Sequence, residues 1–189
     1  MNWNKHYLKS EHAFLGASSY HWLNYDKDQL ARAWHAAKAK EKGTELHAFA
    51  AQCIKLGQKL PRSTKTLNQY VNDAIGFHMV PEQILYYSDF AYGTADSISS
   101  LDSIMKDKFV RIHDLKTGVT PAKMEQLRIY LAYLCLEYHI DPLEIDAELR
   151  LYQNSAVKIE NPDRYEIEHI MDKTIEFNQE LTRLKEEES

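Results

Sequence analysis

The sequence predicts a mixed α+β domain, a central sheet flanked by helices, and three observations carry that expectation. Up to His78, apolar residues recur at helical spacing. Between Gln83 and Lys116 the composition changes to strand formers in short runs. A helical pattern ending near Tyr138, a strand-like run over Ile145–Tyr152 and a helical pattern from Arg164 then close the chain. Helices, three strands, helix, strand, helix is an order that places helices on both faces of one sheet.

Asp26 or Asp28 caps a first predicted helix through Gln29–Lys38, and Gly43-Thr44 interrupts the pattern. A second helix over 45–56 turns Leu46, Phe49, Ala50, Cys53 and Ile54 inward, and Gly57 stops it. A third, over 65–78, buries Leu67, Tyr70, Val71, Ala74 and Ile75. Gln83–Ser88 and Thr94–Ser99 are predicted strands either side of a short turn around Asp89–Tyr92. After a polar link, Phe109–Lys116 is the third strand; Gly118 and Pro121 end it and start a helix whose apolar stripe is Leu127, Leu131, Leu134 and Tyr138. Asp141-Pro142 breaks that helix before the fourth strand, and a last helix runs from Arg164 to about Lys185 with an acidic, frayed end.

A chain of 189 residues suits one domain, here a helical part over 1–80, a sheet core over 81–155 and a terminal helix over 160–189. With 44% hydrophobic and 27% charged residues, no bilayer-length apolar run and no signal-type opening, the expected setting is the cytoplasm, without membrane attachment. Charge is uneven. Residues 1–65 carry 11 Lys/Arg against 5 Asp/Glu, whereas residues 141–189 carry 6 against 14. The basic third either faces a phosphate backbone or is solvated helix surface. Cys53 and Cys135 fit no zinc or iron–sulfur spacing and are expected to be buried thiols.

Chemistry concentrates in Tyr92-Gly-Thr-Ala-Asp96 and Asp114-Leu-Lys116-Thr-Gly118. Residues two apart on a strand share a face, so Asp114 and Lys116 continue the line of Val110 and Ile112, while Leu115 and His113 point away. Pairing with the preceding strand brings Asp96 beside Asp114. Two close carboxylates repel and invite a hard divalent cation, magnesium or manganese, and a neighbouring lysine stabilises charge developing at phosphorus. The Leu115 carbonyl is placed to join the coordination. Gln126 and Tyr130, four apart on a helix, share a face beside the core stripe and are placed to reach the site. His47, early on a helix, serves either as a satisfied structural histidine or as a further ligand. Tyr86 and Tyr87 lie on opposite faces of their strand, and nothing in the sequence selects a tyrosine for stacking on bases.

The ordered set Gly43-Thr-x-x-His47, Gly93-x-x-Asp96, Asp114-x-Lys116-Thr-Gly and Gln126-x-x-x-Tyr130 resembles the RecB-like branch of the PD-(D/E)xK nucleases, and Leu15-Gly-Ala-Ser-Ser-Tyr-His-Trp-Leu is similar to the serine-containing opening of many members. The resemblance spans roughly residues 14–152. It implies a restriction-endonuclease-like αβββαβ core with extra N-terminal helices, and Mg2+ or Mn2+ held by His47, Asp96, Asp114 and the Leu115 carbonyl. Lys116 is then the catalytic lysine, Gln126 and Tyr130 support the site and contact DNA, and Glu82 is a candidate further acid. Two cysteines do not suffice for the iron–sulfur cluster of one subset. Phage exonucleases of recombination or genome processing are similar in size, which implies a host-cell cytoplasm, a DNA partner in single- or double-stranded form, and a recombination or single-strand-binding protein beside it. An RNase with the same site, and a nuclease-fold binding module that does not cut, are the alternatives.

Overall fold

The computed structural model describes residues 14–15 and 17–188, and divides into two compact units, one ending at Lys42 and one beginning at Gly43. In the first unit a 3-10 segment, Ala17–Asn24, leads to helix α1, Lys27–Leu56, whose residues from Gly43 on belong to the second unit. Its start is a reciprocal capping box. Gln29 N donates to Asp26 Oδ1 at 2.7 Å, and Asp26 N donates to Gln29 Oε1 at 2.9 Å. Phe14 meets Trp34 edge-on at 5.2 Å. Of the serine-containing opening, Gly16 and the side chains of residues 18–20 lie outside the described residues.

α1 runs through Gly43 and Thr44, where the sequence predicts a break. The reason is tertiary. A Cβ on Gly43 would stand 2.7 Å from Thr117 Oγ1, so the glycine marks a close approach rather than a helix end. The stop falls at Gly57, whose φ of 64° only glycine adopts cheaply.

In the second unit, α2 (Thr66–Gly76) precedes the hairpin β1 (Val80–Ser88) and β2 (Ala91–Ile98), then α3 (Leu101–Asp107), β3 (Phe109–Leu115), α4 (Glu125–Tyr138), β4 (Asp146–Gln153), β5 (Ala156–Glu160) and α5 (Arg164–Glu187). The five strands form one mixed sheet in the order β1-β2-β3-β4-β5. β1, β2 and β3 are antiparallel, β4 is parallel to β3 after the α4 crossover, and β5 returns antiparallel. Two elements go beyond the predicted order. The polar link is α3, capped by the Ser100 side chain and ended by Lys108 at φ 52°. β5 follows a two-residue turn, Asn154-Ser155, with both φ positive.

α4 begins at Glu125, not at Pro121. The Gln153 side chain holds the intervening loop by donating to Gly118 O (2.7 Å) and Thr120 O (2.8 Å) and accepting from Ala122 N (2.9 Å), which occupies the groups a helical turn would use.

Helices cover both faces. Against α4 and α5 the sheet buries Leu85, Ile98, Val110, Ile112, Leu149 and Leu151. Against α2 and the end of α1 it buries Leu115 and Tyr152 with Ile54, Tyr70, Val71 and Met79. Both cysteines are free and buried, and burial pushes the Cys135 thiol up to about 12. No described helix is long and apolar enough to cross a membrane.

Candidate active site

β3 brings its apolar line to a charged end. Val110 and Ile112 are fully buried, and Asp114, two residues on, is 1% exposed. β2 pairs with β3 only at Ser97–His113 and Ile98–Ile112. One residue further, where Asp96 would oppose Asp114, the strands part. The ladder is replaced there by a side chain: Leu115 N donates to Asp96 Oδ2 at 2.8 Å.

Beside Asp96 the pairing of β1 and β2 has a gap. Ala95 and Ile98 belong to the same core cluster although they are three apart, so strict alternation fails between them. On the neighbouring strand the ladder includes Pro81–Ser97 and Gln83–Ala95 but omits Glu82–Asp96, and Glu82 takes a φ of 55°.

From α1, His47 Nδ1 lies 3.3 Å from Asp96 Oδ1. That hydrogen bond raises the imidazole pKa against the opposing effect of burial, and the charge of Asp114 adds to the rise. From β3, Lys116 Nζ lies 3.1 Å from Asp114 Oδ1 and 3.0 Å from Oδ2, and donates to Gln126 Oε1 at 2.7 Å. Gln126 Nε2 in turn donates to Tyr130 Oη at 2.7 Å. The Tyr130 ring lies against β2 at Gly93, where a Cβ would come within 2.8 Å of Tyr130 Cε1. Lys116, Gln126, Tyr130 and Gly93 thus form one braced line from β3 across α4 to β2.

Asp114 is the least comfortable group in the site. Burial raises its carboxyl pKa and the Asp96 charge raises it further; Lys116 opposes both. Oδ2 is buried and accepts no hydrogen bond, although the ammonium is close. A buried carboxylate oxygen whose near partner is one ammonium, without a well-directed hydrogen bond, is costly to keep.

His47, Asp96, Asp114, Lys116, Gln126 and Tyr130 are therefore brought together. Leu115 joins through its amide N–H. Glu82 is exposed, and His113 points to the α2 side, fully buried. The close approaches at Gly43 and Gly93 are not part of the sequence expectation. Their signal is a glycine at each position, one within a helical pattern and one within a strand.

Among the described residues, no three His, Cys, Asp or Glu side chains stand together as a ready-made metal cage. The donor types nevertheless suit a hard divalent ion: two carboxylates, one holding a buried oxygen that lacks a hydrogen bond, and an imidazole on the exposed side.

No family model matches the chain, no curated protein matches it, and no solved structure matches its fold.

Proposed function

We propose that this chain is a metal-dependent nuclease of the PD-(D/E)xK class, RecB-like in its motifs, hydrolysing phosphodiester bonds of DNA. One observation carries the reading. Asp96 and Asp114 converge where β2 and β3 part, with Lys116 on Asp114 and one Asp114 oxygen buried without a hydrogen bond. On this reading the sheet is the αβββαβ core of that class, extended by α3 and β5.

Asp96 and Asp114 would hold Mg2+ or Mn2+, with His47 and the Leu115 carbonyl as further donors. When bound, such an ion lowers the pKa of water and polarises a phosphoryl oxygen. The chain's own residues do the rest. Lys116 presents a proton-rich cation at the open end of β3, where negative charge builds on the phosphoryl group. Gln126 holds that ammonium in place, and Tyr130 holds Gln126. The buried face of β3 keeps water from the far side of Asp114. An exonuclease of phage-type recombination or DNA processing is the role that the motif order favours.

The test is incubation of the purified protein with end-labelled single- and double-stranded DNA, and with RNA, with and without Mg2+ or Mn2+. Cleavage of DNA is expected with metal. Lys116→Ala is expected to keep its circular dichroism and its DNA binding and to lose on the order of 10²–10³ in rate. A Lys116→Ala variant that cuts at the wild-type rate overturns the assignment. A wild type that cuts no nucleic acid with either metal puts the non-cleaving binding module first, and cleavage of RNA alone makes it an RNase.

A further inference from the structure

The β1–β2 hairpin carries an exposed aromatic face that the catalytic reading does not use. Register pairs Ile84 with Thr94 and Tyr86 with Tyr92. Leu85, Gly93 and Ala95 turn to α4, so their alternating neighbours turn outward. Ile84 is 57%, Tyr86 45% and Tyr92 61% exposed. The two tyrosine rings stack with centroids 6.1 Å apart and planes 25° from parallel. Tyr86 Oη donates to Asp89 Oδ1 at 2.7 Å, which fixes its ring within the hairpin.

β1 is an edge strand, the usual place for a partner strand to add. Here two backbone groups of that edge are already engaged by side chains. Glu137 Oε2 accepts from Tyr86 N at 2.8 Å, and Gln83 Nε2 donates to Ile84 O at 2.8 Å. Beside this partly occupied edge lies flat ring surface. Residues 80–98 contain no lysine or arginine. A partner held here is therefore recognised by stacking rather than by phosphate charge. Tyr92, Thr94 and Asp96 alternate along one side of β2, which sets Tyr92 about 13 Å along the strand from the fork.

We propose that this face is a stacking track for single-stranded DNA, its bases on Tyr86 and Tyr92 and its backbone leading to Asp96, Asp114 and Lys116. The inference rests on the nuclease reading and names its substrate as an unpaired strand. Duplex DNA exposes base faces only at its ends, whereas every base of a single strand has a face to stack.

The experiment is anisotropy of a fluorescent oligothymidylate and of a closed hairpin duplex, in chelator and without divalent metal, for wild type, Tyr86→Ala, Tyr92→Ala and Tyr92→Phe. Both alanine variants are expected to weaken single-strand binding by on the order of 5- to 100-fold, with Tyr92→Phe near wild type and duplex binding unchanged. Salt dependence is expected to be shallow, since few phosphates are neutralised. The variants remove exposed rings, and their circular dichroism is expected to match the wild type. Unchanged single-strand binding in both alanine variants, or no binding by the wild type, overturns the track. The two readings fail separately. A wild type that binds through the tyrosines yet cuts nothing with either metal sinks the nuclease and leaves the track. Tyrosine variants that bind like an actively cutting wild type sink the track and leave the nuclease.

Discussion

β3 runs between two clusters of charge, one on its α2 side and one at its end, and they are built differently. On the α2 side, Arg111 Nε lies 3.0 Å and Arg150 Nε 2.9 Å from Glu148 Oε1, and Arg150 Nη1 lies 3.4 Å from Asp73 Oδ2. Tyr152 Oη donates to Asp73 at 2.8 Å, and both guanidiniums lie over the Phe77 ring, at 4.3 and 4.8 Å. Two cations face two anions, and each carboxylate is paired. Burial pushes Glu148 up, but its hydrogen bonds from Arg150 and Arg111 outweigh that and its pKa is lowered. At the end of β3 two carboxylates face a single lysine: Lys116 sits on Asp114, Asp96 is held by His47 and the Leu115 amide, and the Asp114 pKa is raised. A cluster that serves folding satisfies its charges. The fork keeps a carboxylate whose pKa burial and a second carboxylate raise, which supports the proposed reading of it as a functional site.

The largest contrast is expected from removing one anion on each side. Asp114→Asn should lower cleavage by on the order of 10²–10³ while melting at or above the wild-type temperature, because a strained buried charge is gone. Glu148→Gln should cut normally and lose about 2 kcal/mol of stability, since it leaves two guanidiniums short of their partner. Urea unfolding of both variants beside a cleavage assay checks this. A destabilised Asp114→Asn, or a Glu148→Gln as stable as wild type, breaks the contrast.

Gly93→Ala probes the braced line. The new Cβ would need the space of Tyr130 Cε1, and a shift of Tyr130 carries Gln126 and Lys116 with it. Cleavage is expected to fall about 10- to 100-fold, the usual consequence of displacing a catalytic group by an ångström or less. Metal affinity, read by calorimetry, should hold, because His47 and Asp96 are not on that line. Unchanged cleavage would show that Tyr130 moves without consequence.

The strand that builds the fork was readable because its pattern is unusual. An apolar alternation ending in an acid and a base, Val110-x-Ile112-x-Asp114-x-Lys116, has few structural explanations, and antiparallel pairing with β2 follows from short connections. Helix spacing likewise made Gln126 and Tyr130 neighbours. Other features depend on partners far along the chain. Gly43 looks like a helix break until Thr117 is known to press on it. The pairing of Arg111 and His113 with Glu148 and Arg150 needs the parallel register of β3 and β4. α3 spans seven residues, too few for a periodic signal. β5 is short and largely exposed, and its Val157-Lys158-Ile159-Glu160 alternation is too brief to separate it from a loop.

His113 offers a pH test of the folding cluster. Burial, with the charges of Arg150 and Arg111, lowers its pKa from 6.5 to about 3, and its Nδ1 sits 3.3 Å from Tyr152 Oη. The folded ring therefore stays neutral where the unfolded ring takes a proton. A depressed histidine costs nothing above 6.5 and destabilises progressively as pH falls from 6.5 toward 3, by about 1.4 kcal/mol for each unit. His113→Gln should remove that slope. Unfolding free energies of wild type and variant at pH 7.5, 5.5 and 4.5 should diverge on this account, with the variant less sensitive to acid. Parallel pH profiles would mean that the ring gains a proton without leaving its place.

The smallest effect is expected where α1 meets the loop after Lys116. Gly43 sits inside a helix, and alanine there gains about 1 kcal/mol of helix propensity. The same Cβ would stand 2.7 Å from Thr117 Oγ1 but 3.9 Å from Thr117 Cβ, so the conflict is with one hydroxyl. Gly43→Ala alone should therefore be close to neutral in stability, the propensity gain offset by displacement of Thr117. Cleavage should drop a few-fold because Thr117 is bonded to Lys116. Thr117→Ala removes the conflicting atom. The double variant should regain the cleavage of Thr117→Ala and be more stable than it by close to the full propensity difference. A double-mutant cycle in unfolding free energy should thus show coupling on the order of 0.5–1 kcal/mol, as expected for residues in contact. Additive single effects would mean that the α1 crossing is loose, and that the glycine does not set the distance between His47's helix and the end of β3.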